Sequence, residues 1–129
     1  MPFDFAPQDS QVFQGQTAFQ DGLAAEEIVS NEYAGRGFHL LEQRWRGRCG
    51  EIDLIFKSDD GFVFVEVKKA RTHDLAAERL SARQLSRIAQ SAEDYVLRVR
   101  DEPFAVMRFD LATVDSVGSV DLRENLTFY

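Results

Sequence analysis

The sequence predicts a single α/β domain in which helices flank a mixed central β-sheet, and three observations carry that reading. A helix-period run over about residues 21–36 is followed by three closely spaced strand-like runs between residues 38 and 69. A second helix-period run then separates those strands from a further one, which permits a parallel crossover inside an otherwise antiparallel sheet. At 129 residues the chain is long enough to bury one core without disulfide or metal staples, and too short for two ordinary domains.

Taken in order, residues 1–20 are rich in Gln and Phe, hold Pro2 and Pro7 and have no clear period. They read as an irregular N-terminal arm that would dock through Phe3, Phe5, Phe13 and Phe19, which leaves residues 21–129 as the domain. From about Asp21 to Arg36 the spacing Leu23, Ala24, Glu27/Ile28, Asn31, Ala34 follows a helical period, with Asp21 as N-cap and Gly35 and Gly37 as the stop. Phe38–Trp45, Glu51–Lys57 and Phe62–Lys69 read as strands. Gly47, Gly50 and the Asp59-Asp60-Gly61 cluster break them, and the short gaps suggest an antiparallel meander. A second helix is expected over Ser81–Arg98, its apolar stripe formed by Leu85, Ile88, Ala89, Ala92, Val96 and Val99. Phe104–Val114 reads as a fourth strand, and the tail Val117–Phe128 as a shorter edge strand.

Composition narrows the function classes. One cysteine, Cys49, excludes an internal disulfide framework, and with no signal-peptide pattern the expected compartment is the reducing cytoplasm. No apolar run approaches the roughly 18 residues of a membrane helix, so no membrane partner is expected. The net charge of −7 argues at first against nucleic acid. Its distribution reverses the argument: no Lys or Arg precedes Arg36, and only Arg108 and Arg123 follow residue 100, so the basic residues crowd into the middle. Arg36, Arg44, Arg46 and Arg48 form one stretch; Lys68, Lys69, Arg71, Arg79, Arg83, Arg87, Arg98 and Arg100 form the other.

The chemistry-bearing stretch is Gly50-Glu51-Ile52-Asp53-Leu54-Ile55-Phe56 followed by Phe62-Val63-Phe64-Val65-Glu66-Val67-Lys68. Strand alternation puts Asp53 with Glu51 and Ile55, and Glu66 and Lys68 with Phe62 and Phe64. A loop at Asp59-Asp60 sets Asp53 across from Glu66, whereas a loop at Asp60-Gly61 sets it across from Lys68; both keep the trio on one face. Two adjacent carboxylates repel unless one is protonated, a lysine balances them or a cation sits between. A hard divalent cation such as Mg²⁺ suits such a pair, and Lys68 can then orient an attacking water or neutralise charge building on a phosphate. A Glu-x-Lys in a strand is often a solvated ion pair. Here Val63, Val65 and Val67 bury one face while Phe62 and Phe64 make the other apolar, and a buried charged trio is costly without a use.

These residues resemble the YraN-like, endonuclease-related bacterial family of the PD-(D/E)XK nuclease superfamily: Gly50-Glu51-Ile52-Asp53-Leu54-Ile55, then Phe64-Val65-Glu66-Val67-Lys68, preceded by an acidic helix and Gly37-Phe38. The resemblance covers about residues 22–115. It implies a restriction-endonuclease-like α-β-β-β-α-β core, Asp53 and Glu66 as metal ligands, a backbone carbonyl ligand at Val67, and Lys68 as the catalytic lysine. It also implies a first-helix acid assisting the metal, which matches Glu26, with Glu27 as its nearest rival. Mg²⁺ is the implied cofactor, with Mn²⁺ as a substitute. Two departures stand out: Ala70 where the family has Arg two residues after the Lys, with Arg71 one place on, and Gln84 where the family opens the second helix with Lys.

The expected function is therefore a Mg²⁺-dependent endonuclease acting on DNA, branched or single-stranded forms included, with RNA left open. Its expected nucleic-acid contacts are Arg44, Arg46, Arg48, Lys69, Arg71, Arg83, Gln84 and Arg87, and two-strand cleavage would call for a homodimer. The competing readings are a catalytically weak or inert nucleic-acid-binding or partner-binding module on the same fold, which the acidic termini, Ala70 and Gln84 favour, and a protein-interaction module using the Phe-rich arm and acidic surface. His39, in the first strand, and His73, in a loop, lack paired ligands at zinc spacing and read as structural or solvent-facing; Trp45 reads as core or as a base-stacking ring.

Overall fold

In the computed structural model, which describes residues 22–126, strands β1 (His39–Arg46), β2 (Glu51–Ser58), β3 (Gly61–Lys69), β4 (Met107–Val114) and β5 (Val120–Arg123) form one sheet in chain order. All neighbours are antiparallel except β3 and β4, which run parallel, as the intervening helices require. Helix α1 (residues 22–35) precedes the sheet. The crossover carries α2 (His73–Glu78) and α3 (Ala82–Asp94), the latter continuing as a π-helical turn, Tyr95–Val99. The expected arm at residues 1–20 lies outside the described residues.

Two apolar layers hold the sheet between helices. On one side Ala25, Val29 and Tyr33 of α1 meet Leu54, Phe56, Val63, Val65, Ala112 and Val114. On the other Ile88, Ala92, Tyr95 and Val96 meet Ile52, Ile55, Phe62, Phe64 and Phe109. Fully burying such side chains contributes roughly 1.5–3 kcal/mol each, which is why the two continuous apolar strands β2 and β3 occupy the interior of the sheet.

The structure corrects several sequence expectations. His73 opens the short helix α2 instead of lying in a loop: Thr72 caps it, accepting from the Leu75 N–H, and the His73 ring sits 2.7 Å from Thr113 Oγ1. The second long helix does not run as one α-helix to Arg98. Tyr95, at helical spacing from Ile88 and Ala92, is buried; the π turn then adds a residue and rotates the positions after it, so Val99, expected in the apolar stripe, is exposed. Strand β4 begins at Met107, not Phe104, and Phe104 stands 96% exposed in the preceding turn. The edge strand is confined to Val120–Arg123, leaving Val117 exposed, and Phe128 lies outside the described residues. Trp45 is half-buried and packs against the α3-side core, its ring meeting Tyr95 edge-on at 5.0 Å. It also covers Gly47, where a Cβ would come within 2.5 Å of the indole.

Candidate active site

The β2–β3 hairpin turns at Asp59-Asp60, because Ser58 pairs with Gly61 and Leu54 with Val65. Of the two registers the sequence allows, this one carries Asp53 toward Glu66. The ladder stops at Leu54 and Val65; one step further Val67 would face Ile52, but its N–H donates to Asp53 Oδ2 at 2.8 Å. In an extended strand a residue's N–H and C=O project toward the same neighbour, so the Val67 carbonyl also lies on the β2 side, beyond the end of the ladder.

The route by which Asp53 arrives differs from simple alternation. On β3 alternation holds: Phe62 and Phe64 pack toward α3, Val63 and Val65 toward α1. On β2 it breaks, since Ile52 and Ile55, three residues apart, both belong to the α3-side cluster while Leu54 and Phe56 face α1. Opposite this break stands Arg44, whose φ is +50°. Gln43 pairs with Leu54 and Trp45 with Ile52, which sets Arg44 across from Asp53. The backbone irregularity at Arg44 and the seam between β2 and β3 therefore coincide at the carboxylate.

Glu66 is only 5% exposed. Its Oε2 accepts from Gln84 Nε2 at 2.6 Å and lies 3.1 Å from Lys68 Nζ, and it shares a hydrogen bond with Asp53. Burial, with the Asp53 charge adding to it, lifts the Glu66 carboxyl from 4.5 to about 8; Lys68 pulls it down by less. Asp53 is also raised by burial, and the Val67 N–H works against that rise by favouring the ionised form. Burial and the mutual repulsion of the two carboxylates thus favour a proton shared by the pair.

Gln84 reaches Glu66 because Ser81-x-x-Gln84 opens α3. Ser81 accepts from the Gln84 N–H at 3.0 Å, and that cap fixes the first turn with its third residue aimed at β3. Gln84 is expected from the sequence among the nucleic-acid contacts; in the structure its amide donates to Glu66. The capping pattern was the available signal.

Glu26, on α1, is the partly buried member of the Glu26-Glu27 pair, whereas Glu27 is exposed. Arg44 Nε donates to Glu26 Oε1 at 2.9 Å. Burial raises the Glu26 carboxyl, with Asp53 and Glu51 pushing the same way and Arg44 opposing them. Glu26 is therefore in electrostatic reach of Asp53, yet among the described residues no three His, Cys, Asp or Glu side chains converge at metal-binding distance. The donor set suits a hard divalent cation: two carboxylates and a free-edge carbonyl, all oxygen, leaving room for waters. Such a cation would displace the shared proton.

The basic residues divide. Arg48, Lys69, Arg71, Arg83 and Arg87 are without an ion pair among the described residues. Arg83 and Arg87 flank Gln84 on the exposed surface of α3, and Arg87 stands beside Gly50 at the base of the β1–β2 hairpin tip that carries Arg48. Farther away, Arg36, Arg98, Arg100 and Arg108 are each matched to an acid. Two expected nucleic-acid contacts are already engaged: Arg44 with Glu26, and Arg46 with Glu51 across the β1–β2 ladder at 3.4 Å. Among the described residues no helix is long and apolar enough to cross a membrane.

A helix-covered mixed sheet with a carboxylate pair, one member buried and one half-buried, and a lysine at the seam of two strands defines the class. Residues 25–114 match the model of the uncharacterised protein family UPF0102, and the chain belongs to that family. It is 49% identical to the UPF0102 protein of Ruegeria pomeroyi over 104 residues, 81% of this chain and 85% of that one. Identity to the UPF0102 protein of Roseobacter denitrificans is 41% over 117 residues, 91% of each chain. A relative from Cereibacter sphaeroides is 40% identical over 111 residues, 86% of this chain and 95% of its own.

Proposed function

We propose that this UPF0102 protein is a Mg²⁺-dependent endonuclease that hydrolyses DNA phosphodiesters, with Mn²⁺ able to substitute, on the restriction-endonuclease-like core of the PD-(D/E)XK superfamily. The observation that carries the reading is the pairing of buried Glu66 with half-buried Asp53, with Lys68 Nζ 3.1 Å from Glu66. A proton-sharing carboxylate pair beside a lysine contributes little to stability in such a setting and suits a site that accepts a cation.

Asp53, Glu66 and the Val67 carbonyl would hold the cation. When bound it would act as a Lewis acid on the phosphate and lower the pKa of the attacking water. The Lys68 ammonium beside Glu66 orients that water and offsets charge developing on the phosphoryl oxygens. Gln84 fixes the Glu66 carboxylate so that its free edge stays aimed at Asp53. Arg48, Arg83 and Arg87, with Lys69 and Arg71, supply a basic rim for the phosphate backbone while the paired arginines elsewhere do not compete. Branched and single-stranded DNA are the substrates to test first.

The test is incubation of the purified protein with branched, single-stranded and duplex DNA, and with RNA, in Mg²⁺ and in Mn²⁺, beside Lys68→Ala and Asp53→Ala. Metal-dependent cleavage lost in both variants is the expected result, and the nucleic acid cut names the substrate. Salt-sensitive binding with no cleavage under either metal would replace the enzyme with a nucleic-acid-binding module on the same fold.

A further inference from the structure

Among the described residues Arg44 is the one strand residue other than glycine with φ in the left-handed region, at +50°. Long side chains stay there only when their surroundings hold them. What holds Arg44 is α1: its Nε donates to Glu26 Oε1 at 2.9 Å, and its Nη2 lies 3.9 Å from where a Cβ on Gly22 would stand. The two side chains are 30% and 13% exposed, so the pair is largely shielded from water. The register sets Arg44 across from Asp53, at the point where β2 leaves its regular alternation. An internal cation thus occupies Glu26, and no third acid among the described residues joins the Asp53–Glu66 pair.

We infer that Arg44 is a positioning residue that withholds Glu26 from the Asp53–Glu66 pair as a built-in counter-cation, so that loading a divalent cation with three carboxylates requires the Arg44–Glu26 ion pair to open. This rests on the reading of Asp53 and Glu66 as the cation site. Arg44 thereby sets the affinity for metal in the absence of nucleic acid. A phosphate backbone arriving at the basic rim offers the guanidinium an alternative partner and frees Glu26.

The experiment is Mn²⁺ binding to the full chain without nucleic acid, followed by the electron paramagnetic resonance of free Mn²⁺, for wild type, Arg44→Asn, Arg44→Lys, Glu26→Gln, Arg44→Asn/Glu26→Gln and Asp53→Asn. Asn tolerates the left-handed backbone, so Arg44→Asn keeps the fold, which a thermal melt checks. Freeing one shielded carboxylate is expected to tighten Mn²⁺ binding about tenfold in Arg44→Asn. Arg44→Lys, which keeps the charge, stays near wild type, and the gain disappears in the double variant. Unchanged or weaker binding in Arg44→Asn, or a gain that survives Glu26→Gln, overturns the role of Arg44 alone. Wild-type binding that is absent, or indifferent to Asp53→Asn, overturns the cation site and this inference together.

Discussion

The backbone N–H of Val67 donates to Asp53 Oδ2 at 2.8 Å, and a side chain thereby takes the place of the next rung of the β2–β3 ladder. One contact both satisfies a strand end and fixes a carboxylate beside Glu66. Asp53→Asn retains an oxygen for that N–H and is expected to stay within about 1 kcal/mol of wild-type stability, whereas Asp53→Ala orphans the donor and loses about 1–3 kcal/mol. Urea denaturation of the two variants, with circular dichroism as the readout, checks the ordering. Equal stabilities would mean the bond does not anchor the seam.

Stability should fall as pH rises. An unfolded chain releases the Glu66 proton near 4.5, whereas the folded protein keeps it to about 8, so between those values the unfolded state binds fewer protons and ionisation favours unfolding. The raised Asp53 carboxyl acts in the same direction. The melting temperature of the metal-free protein is expected to drop from about pH 5 to about pH 8 more steeply than that of Glu66→Gln. Mg²⁺ should narrow the drop, because a bound cation expels the shared proton and its affinity rises through the same window. A slope unchanged by Glu66→Gln would refute the raised Glu66 carboxyl.

Much of this arrangement was legible in the residues, and where it was not the reasons are local. The apolar runs of β2 and β3 and the breaks between them specified the hairpin. They left two registers, and the choice of Asp59-Asp60 as the turn was settled only by how the ladder packs. Alternation found the right partners for Asp53 while missing the break at Ile52, because a φ of +50° at Arg44 leaves no mark in hydrophobic pattern. The π turn escaped for a related reason: helical periodicity fits Val99 equally well until one extra residue rotates it outward. Helix α2 spans six residues, too few for a period to register. Charge counting located the basic middle, but which arginines are engaged depends on Glu26 and Glu51 as neighbours in space.

A second buried carboxylate, Asp110, lies one strand over from Glu66 on the opposite face of the sheet and serves structure. Asp110 accepts from Tyr33 Oη at 2.6 Å, from Arg108 at 3.0 and 2.9 Å, and from the Asn125 N–H at 2.9 Å, tying α1, β4 and the chain after β5 together. Tyr33→Phe removes a donor to a buried charge and is expected to cost about 1.5–3 kcal/mol in urea denaturation, with metal binding untouched. A loss of Mn²⁺ affinity in that variant would contradict the separation of the two carboxylate centres.

The unpaired rim makes a quantitative claim about salt. If Arg83 and Arg87 each neutralise one phosphate, the double Arg83→Ala/Arg87→Ala variant should lower the slope of log K against log salt by about 2 for duplex DNA, or about 1.4 for single strands. Arg36→Ala, whose side chain is already matched to Glu32 and Glu124, should leave the slope unchanged. Fluorescence anisotropy over a salt series separates these outcomes, and equal effects at both places would dissolve the distinction between paired and unpaired arginines.

The central claim is that Asp53 and Glu66 hold a cation used to break a phosphodiester, and the most direct measurement is nicking of supercoiled circular DNA in Mg²⁺ by wild type and Asp53→Asn prepared in parallel. Relaxed product is predicted to appear with wild type, to vanish on chelation and to be absent with Asp53→Asn. Equal nicking by both proteins, or none by wild type in either Mg²⁺ or Mn²⁺, would contradict that claim.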